Sequence, residues 1–152
     1  MDILILLFIL VITISFLCSI LESILLSTNM SYISVLEKDN PKAGSLLKRL
    51  KTDIDKSIAS ILILNTVANT LGATAIGVQA QSVFEGNSNL ILFVSIALTF
   101  AILFFAEIIP KTIGAVYWKQ LSPVAALIIN FFIFITYPII LITQFVTKKI
   151  FY

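Results

Sequence analysis

Long apolar stretches alternate with a single polar region along this chain. Residues 3–27 are apolar apart from Glu22, residues 57–83 carry no charge, and residues 88–110 carry none before Glu107. A helix needs about 20 apolar residues to cross the hydrocarbon core of a bilayer. The pattern therefore predicts an all-α membrane protein with three transmembrane helices, at about 3–27, 57–83 and 88–110.

The polar region, residues 31–56, has the pattern of an amphipathic juxtamembrane helix. Asn40 and Pro41 suit a helix cap and a first helical residue. Apolar residues then recur on one helical face, opposite the basic ones: Leu46, Leu47, Leu50 and Ile54 against Lys48, Arg49 and Lys51. This pattern predicts a helix lying in the membrane surface. A solvated loop with chance spacing is the alternative.

Residues 124–147 are uncharged and long enough for a fourth span, but Pro138 interrupts them and Pro123 stands at their start. The ten basic residues fall in 38–56, 111–119 and 148–149, and cytoplasmic flanks collect Lys and Arg. Three spans with the N-terminus outside place all ten in the cytoplasm, whereas a fourth span would put Lys148 and Lys149 outside. We therefore predict a multi-pass protein of the cell (inner) membrane with a cytoplasmic C-terminus. Residues 115–150 would be a Pro-bent segment in the inner leaflet, and four spans are the alternative.

The composition excludes the soluble classes of protein. Hydrophobic residues make up 59% of the chain, charged residues only 12%, and the mean hydropathy is +1.09. Ordinary soluble domains are about a quarter charged. One cysteine and no histidine exclude a disulfide framework and the usual imidazole ligands. The sequence has no nucleophile–base pair, no cofactor loop and no basic surface for nucleic acid, so we expect no enzyme.

Polar side chains nevertheless occur within all three predicted spans. They are Ser15, Ser19, Glu22 and Ser23 in the first, Asn65, Thr66, Asn69 and Thr70 in the second, and Thr99 and Glu107 in the third. Spacings of three or four residues place members of each set on one helical face. At a rise of about 1.5 Å per residue, helices of alternating direction bring these faces to similar depths in the inner half of the bilayer. Polar groups at that depth are costly and mark candidate sites.

Pro110 adds a backbone ligand to this set. It has no N–H, so the carbonyl of Ala106 loses its helical partner beside the Glu107 carboxylate. The resulting all-oxygen set suits a hard cation such as Mg²⁺, Ca²⁺ or Na⁺. Each member also has a structural reading. The amides could join helices, the serines could permit close packing, Pro110 could only kink the helix, and Glu22 could pair with a lysine.

Three stretches match a known family: residues 16–23 (FLCSILES), 64–69 (LNTVAN) and 106–112 (AEIIPKT). In order and spacing they resemble the transmembrane domain of the CorC/CNNM family of magnesium transporters. The resemblance implies a homodimer of three-span subunits belted by juxtamembrane helices, with Mg²⁺ among the three helices and export driven by Na⁺ entry. It favours three spans over four.

The resemblance also implies roles for individual residues. The Mg²⁺ ligands would be Ser19, Ser23, Asn69, the Ala106 carbonyl and Glu107, with Glu22 and Asn65 as supporting or Na⁺-related groups. The chain departs from the family pattern at Ala106 and Leu64, where glycine is usual, and at Ile20 and Leu21, where small residues are usual. The cytosolic CBS domains usual in the family are absent from this chain.

The expected function is therefore membrane transport of a divalent cation, foremost Mg²⁺ efflux coupled to Na⁺. The rival function is a membrane anchor and dimerisation module that regulates a partner and transports nothing.

Overall fold

The computed structural model describes residues 1–151, which are helical almost throughout and contain no strand. Its six α-helices are α1 (Asp2–Ser27), α2 (Met30–Asp39), α3 (Pro41–Thr52), α4 (Ile54–Val83), α5 (Ser88–Ala101) and α6 (Ile109–Phe151). A π-helical segment, Ile102–Ile108, joins α5 to α6 without a loop. Three helical runs are long and apolar enough to cross a membrane: Asp2–Ser27, Ile54–Val83 and Ser88–Phe151. The predicted all-α fold with three spans is confirmed.

The polar region folds as a helical hairpin of α2 and α3 at the C-terminal end of α1. The Asn40 side chain accepts a hydrogen bond from the Ala43 N–H and Pro41 is the first residue of α3, so the predicted helix start is confirmed. Leu47 and Leu50 are buried on the face that the spacing predicted. The position of this hairpin in the membrane surface stays a prediction.

Lys51, on α3, ties the hairpin to α1. Its ammonium donates to the carbonyl oxygen of Leu25 at 2.8 Å and to that of Leu26 at 3.4 Å. These carbonyls belong to the last turn of α1, where no following helical N–H satisfies them and where a positive charge is favourable. Burial lowers the pKa of Lys51. The hairpin therefore also caps the end of the first long helix.

Two apolar clusters hold the long helices together. The hairpin-side cluster joins α1, α3, α4 and α6 through residues that include Leu21, Leu25, Leu47, Ile61 and Ile129. The turn-side cluster lies near the turn between α4 and α5 and contains Leu4, Val11, Ile76, Ala80 and Leu98. On α4 the polar residues 65–70 lie between Ile61 of the hairpin-side cluster and Ile76 of the turn-side cluster. On α1 the polar residues 19–23 alternate with members of the hairpin-side cluster.

The close approach of α1 and α6 depends on Gly114. A Cβ added there would lie 2.8 Å from the Ser23 Cβ and 2.9 Å from the Ile20 carbonyl oxygen. Small residues let helix backbones approach within membranes. The two helices therefore pack backbone to backbone at this point.

Residues 118–151 of α6 lie along the hairpin and the start of α4. The Tyr32 hydroxyl donates to the Lys119 carbonyl at 2.7 Å, Arg49 donates to the Asn130 side chain at 2.9 Å, and the Lys56 ammonium lies 5.0 Å from the centre of the Tyr137 ring. These contacts fit the expected arrangement of three spans followed by a belt segment. The position of the segment in the inner leaflet stays a prediction.

The one non-helical backbone conformation inside α6 is at Tyr117, and the helix continues through both prolines on which the sequence analysis relied. Pro123 lacks the N–H that would bond to the Lys119 carbonyl. That carbonyl instead accepts hydrogen bonds from the hydroxyls of Tyr32 and Ser122. Two hydroxyls, one from α2 and one from the neighbouring residue of α6, thus replace the N–H that Pro123 lacks.

Candidate cation site

The three serines on one face of α1 bond differently from most other helical hydroxyls. Serine and threonine hydroxyls here commonly donate to the carbonyl four residues earlier, as those of Thr13 and Thr28 do. Ser15 instead donates to the Asn65 side-chain oxygen at 3.0 Å, and Ser23 donates to the Lys111 carbonyl at 2.6 Å. The Ser19 hydroxyl, between them, is buried and has no hydrogen-bond partner within residues 1–151.

Two asparagines on α4 extend this polar face. The Asn65 Oδ1 accepts from Ser15 and also from the Asn69 Nδ2, at 3.3 Å. Because Asn69 donates through its nitrogen, its Oδ1 points elsewhere. That oxygen is buried and, in the described part of the chain, accepts no hydrogen bond. A buried polar atom without a partner costs about 1–3 kcal/mol. The structure therefore holds two such oxygens, one on α1 and one on α4.

The third span runs in the same direction as α1. Residues 4–9 of α1 share a cavity wall with residues 93–97 of α5, and further along Ser23 bonds to Lys111. One helical turn before that bond, Ser19 on α1 lies level with Glu107 on the third span. Glu107 is half-buried and forms no hydrogen bond or ion pair with any described residue. A carboxylate thus lies near the level of the unpartnered Ser19 hydroxyl.

The π segment changes which carbonyls Pro110 leaves without a partner. The Ile109 N–H donates to the Phe104 carbonyl, five residues earlier. The next residue, Pro110, has no N–H. The missing N–H would have bonded to the Phe105 carbonyl in π register or to the Ala106 carbonyl in α register. Phe105 is 59% exposed whereas Ala106 is 0% exposed. The Ala106 carbonyl therefore remains the candidate ligand inside the protein, beside Glu107.

Lys111 bonds to two of the candidate residues, Glu22 and Ser23. Its ammonium lies 3.7 Å from the Glu22 carboxylate, so the alternative in which Glu22 pairs with a lysine is confirmed. Its backbone carbonyl accepts the Ser23 hydroxyl. These two bonds, with Gly114, form what we call the α1–α6 contact, which lies on the hairpin side of Ser19.

The seven predicted site residues thus divide into two groups. Ser19, Asn69 and Glu107 offer oxygen atoms that this structure leaves available, and Ala106 is one of the two residues whose carbonyl can lose its donor at Pro110. Asn65, Ser23 and Glu22 are engaged with other residues. Their roles as ligands stay predictions. Ser15 was predicted only as one of the polar residues of the first span, and Lys111 was given no role. Each nevertheless lies one helical turn from a candidate, Ser15 from Ser19 and Lys111 from Glu107.

The available donors are a hydroxyl, an amide oxygen, a backbone carbonyl and one carboxylate. Among the residues described, no group of three or more His, Cys, Asp or Glu side chains could hold a metal ion. Soft thiolate or imidazole chemistry is therefore not offered here. Neutral oxygens with a single carboxylate suit hard cations such as Mg²⁺, Ca²⁺ and Na⁺.

The polar residues of the three spans, from Ser15 to Ser23, Asn65 to Thr70 and Glu107, form what we call the polar band. A cavity of about 160 Å³ lies between α4 and α5 on the turn side of this band. Its lining includes Gly77 and the polar residues Ser95 and Thr99. Glu107 lies two helical turns further along from Thr99 on the third span. The two sides of the polar band therefore differ, with a cavity toward the turn and the α1–α6 contact toward the hairpin.

Comparisons with known proteins agree with this architecture. The family model of the cyclin M transmembrane N-terminal domain, CNNM, matches residues 5–152. A UPF0053 protein of Synechocystis is 27% identical over 139 residues, which cover 86% of this chain and 37% of the relative.

Two further relatives are a UPF0053 protein of Haemophilus influenzae and the UPF0053 inner membrane protein YfjD of Escherichia coli. Each is 28% identical, over 85% and 66% of this chain but only 30% and 23% of the relative. The chain thus spans about a third or less of these proteins.

Proposed function

The chain belongs to the CNNM family of transmembrane domains, and we propose that it transports a divalent cation, Mg²⁺, across the membrane. The observation that carries this proposal is the pair of buried oxygens without partners, on Ser19 and Asn69. A cation bound at either oxygen would satisfy it, and the two oxygens lie to opposite sides of the Ser15–Asn65 bond along the antiparallel helices α1 and α4. The unpaired Glu107 carboxylate would supply negative charge and the Ala106 carbonyl a further oxygen.

The donor set supports Mg²⁺ as cargo. Mg²⁺ takes six oxygens in near-octahedral geometry and usually keeps some of its waters. Protein oxygens from this set would fill part of that shell, and waters or the Ser23 hydroxyl would fill the rest. A single carboxylate would hold the ion without burying a large net charge, which also allows its release.

We infer that Asn65 positions the site rather than binding the ion. Its oxygen already accepts from Ser15 and from Asn69. These bonds aim the free oxygen of Asn69 away from Asn65. The helix pair α1 and α4 would thus present a preformed acceptor.

The α1–α6 contact suggests how access could alternate. In this arrangement it closes α1 against α6 on the hairpin side, where we propose the cytoplasm lies. Rocking of helices about a fixed site is the usual motion of secondary transporters. Export would then require the Glu22–Lys111 pair to open, and the cavity at Thr99 would form part of the outward path. We propose Na⁺ entry as the driving process, with Glu22 among the groups that exchange partners.

The proposed setting is an inner membrane, with the N-terminus outside and the C-terminus in the cytoplasm. The distribution of the ten basic residues supports this orientation, and the name of the Escherichia coli relative includes the words inner membrane protein. We also propose a homodimer, because the family resemblance implies one. We propose, further, that the protein is a transporter and not an enzyme.

The rival function, an anchor and dimerisation module, is favoured by one observation. The hydrogen bond from Ser15 to Asn65 joins α1 to α4, which is a common use of polar side chains in membranes. In that case the polar band only holds helices together, and no ion would alter the stability of the protein.

Mg²⁺ titration calorimetry on the whole purified chain, in Na⁺-free detergent buffer, tests the proposal. We expect wild type to bind Mg²⁺ and Glu107→Gln to lose binding. Glu85→Gln, in the turn between α4 and α5, is the matched control and should bind as wild type does. Failure of wild type to bind, or equal affinity in Glu107→Gln, would contradict the proposal. Mg²⁺ flux into dye-loaded proteoliposomes then distinguishes transport from binding alone.

A further inference from the structure

Two adjoining cavities lie where α6 passes the hairpin and the start of α4. The first, about 220 Å³, has the charged residues Arg49, Asp53 and Lys56 in its wall. The second, about 530 Å³, is formed mainly by Ile133, Phe134, Tyr137 and Pro138. Both include Asn130 and Ile133 in their linings. A charged compartment therefore continues into an apolar groove along α6.

The cations of the charged compartment are not neutralised by neighbours. The ion pairs found in residues 1–151 are Lys48 with Glu37 and Lys111 with Glu22, so neither Arg49 nor Lys56 has a carboxylate within 4.0 Å. Arg49 uses one N–H on the Asn130 side chain, and a guanidinium has five. Lys56 lies over the face of Tyr137. Both groups retain capacity for an anion.

The start of α4 adds to the positive electrostatic potential of the charged compartment. Asp53 occupies the cap position, but its side chain makes no capping hydrogen bond. The first N–H groups of a helix lack intrahelical partners and carry partial positive charge. Ser57, in the first turn, is part of the same cavity wall. An anion beside Arg49 and Lys56 would therefore also meet the first N–H groups of α4, while the nearby carbonyls of the last turn of α3 are partly satisfied by the Ser57 hydroxyl.

Asp53 determines which kind of anion fits. Its carboxylate lies in the same wall, so a compact anion such as free phosphate would face both attraction and repulsion. A zwitterion with an anionic and a cationic end would match both signs. The apolar groove beyond Asn130 would meanwhile suit a hydrocarbon chain.

We propose that these cavities form a binding site for one phosphatidylethanolamine molecule. Its phosphodiester binds Arg49 and Lys56, its ammonium faces Asp53, and an acyl chain lies along Phe134, Tyr137 and Pro138. The site requires that residues 115–150 lie at the membrane surface, and it does not require that the protein transports a cation. A lipid here would join α3, the start of α4 and α6, which otherwise meet through few polar contacts.

Native mass spectrometry of the whole chain released from detergent, with defined lipids added, tests the proposal. We expect wild type to retain phosphatidylethanolamine and to retain phosphatidylglycerol at least fivefold less. Arg49→Gln should lose the phosphatidylethanolamine adduct. Lys42→Gln, which removes an exposed cation from the same helix, should keep it. Equal retention by Arg49→Gln and Lys42→Gln, or equal retention of both lipids by wild type, would overturn the proposal.

Thermal melting of the same variants provides an independent readout. Added phosphatidylethanolamine should raise the melting temperature of wild type and Lys42→Gln but not that of Arg49→Gln, because a ligand that binds the folded state stabilises it. Lys56→Gln should also lose this shift, which guards against a folding defect peculiar to Arg49→Gln. Inorganic phosphate alone should give no shift. An Arg49-dependent shift with phosphate would assign the cavity to a free anion and overturn the lipid site.

Discussion

Ser15 of α1 and Asn65 of α4 are joined by a hydrogen bond of 3.0 Å, and the same Asn65 oxygen orients the side-chain amide of Asn69. The oxygen of Asn65 also accepts from Asn69, so the Asn69 oxygen is left buried and unpartnered in the described structure. A hydroxyl that does not touch the proposed ion would thus orient one of its ligands. Loss of a hydrogen-bond partner of a metal ligand typically costs about 10–100-fold in metal affinity.

Replacing Ser15 with Ala should therefore weaken Mg²⁺ binding without removing a ligand. We expect about a tenfold loss of affinity, at the lower end of the range seen when partners of metal ligands are removed, because Ser15 acts on Asn69 only through Asn65. Calorimetry measures the affinity, and Thr13→Ala on the same helix is the control, because Thr13 only bonds to its own helix. Unchanged affinity in Ser15→Ala would mean that Asn69 is oriented by other contacts.

Replacing Ser19 with Ala should have opposite effects on stability and on binding. The mutation removes a buried hydroxyl that has no partner in the described residues, so the ion-free protein should gain about 1 kcal/mol. The same mutation removes a proposed ligand, so the increase in melting temperature on adding Mg²⁺ should shrink or vanish. Melting curves with and without Mg²⁺ measure both effects. A less stable ion-free variant would indicate that the hydroxyl has a partner after all.

Replacing Lys111 with Gln should raise the affinity for Mg²⁺. Its ammonium pairs with Glu22 and follows Glu107 by one turn, so it competes with a divalent cation for the same negative charges. Removing about 1.4 kcal/mol of repulsion corresponds to about a tenfold gain in affinity. Lys119→Gln is the control, since that ammonium lies over Trp118. If Lys111 were only structural, the variant would melt lower and bind no more tightly.

Replacing Gly114 with Ala should destabilise the protein, whereas the same change at Gly77 should not. A methyl group on Gly114 would collide with the backbone of Ile20 on α1, and such overpacking costs about 1–3 kcal/mol. A methyl group on Gly77 would meet nothing within 4 Å, and alanine is the better helix former by about 1 kcal/mol. Chemical unfolding in detergent compares the two variants. Equal stability would show that α6 can move away from α1 at little cost.

The fold and part of the site were accessible from the sequence because they depend on local periodicity. Three apolar stretches predicted the spans, and spacings of three or four residues predicted the polar faces that include Ser19 and Asn69. The helix start at Asn40 followed from the chemistry of its side chain. Each of these inferences needs only residues within one or two helical turns.

Other features depended on contacts that no local pattern contains. Pro123 leaves the Lys119 carbonyl without its helical donor, and Tyr32, far away along the chain, supplies one. From the sequence, Glu22 could either belong to an ion site or pair with a lysine, and only the structure shows that it pairs with Lys111. The π segment is also invisible to a pattern search, since no residue in 102–108 requires it.

The π segment has a consequence for everything that follows it. Each of its hydrogen bonds spans one residue more than in an α-helix, so relative to an unbroken α-helix the later residues are turned by about 100°. A helical wheel drawn from Ser88 to Gly114 therefore assigns Lys111 and Gly114 to the wrong side. The same offset means that deleting one residue between 102 and 105 would remove no candidate ligand, yet would rotate the α1–α6 contact away from α1. The extra residue of the π segment therefore sets the rotation of the second half of the third span relative to the first half.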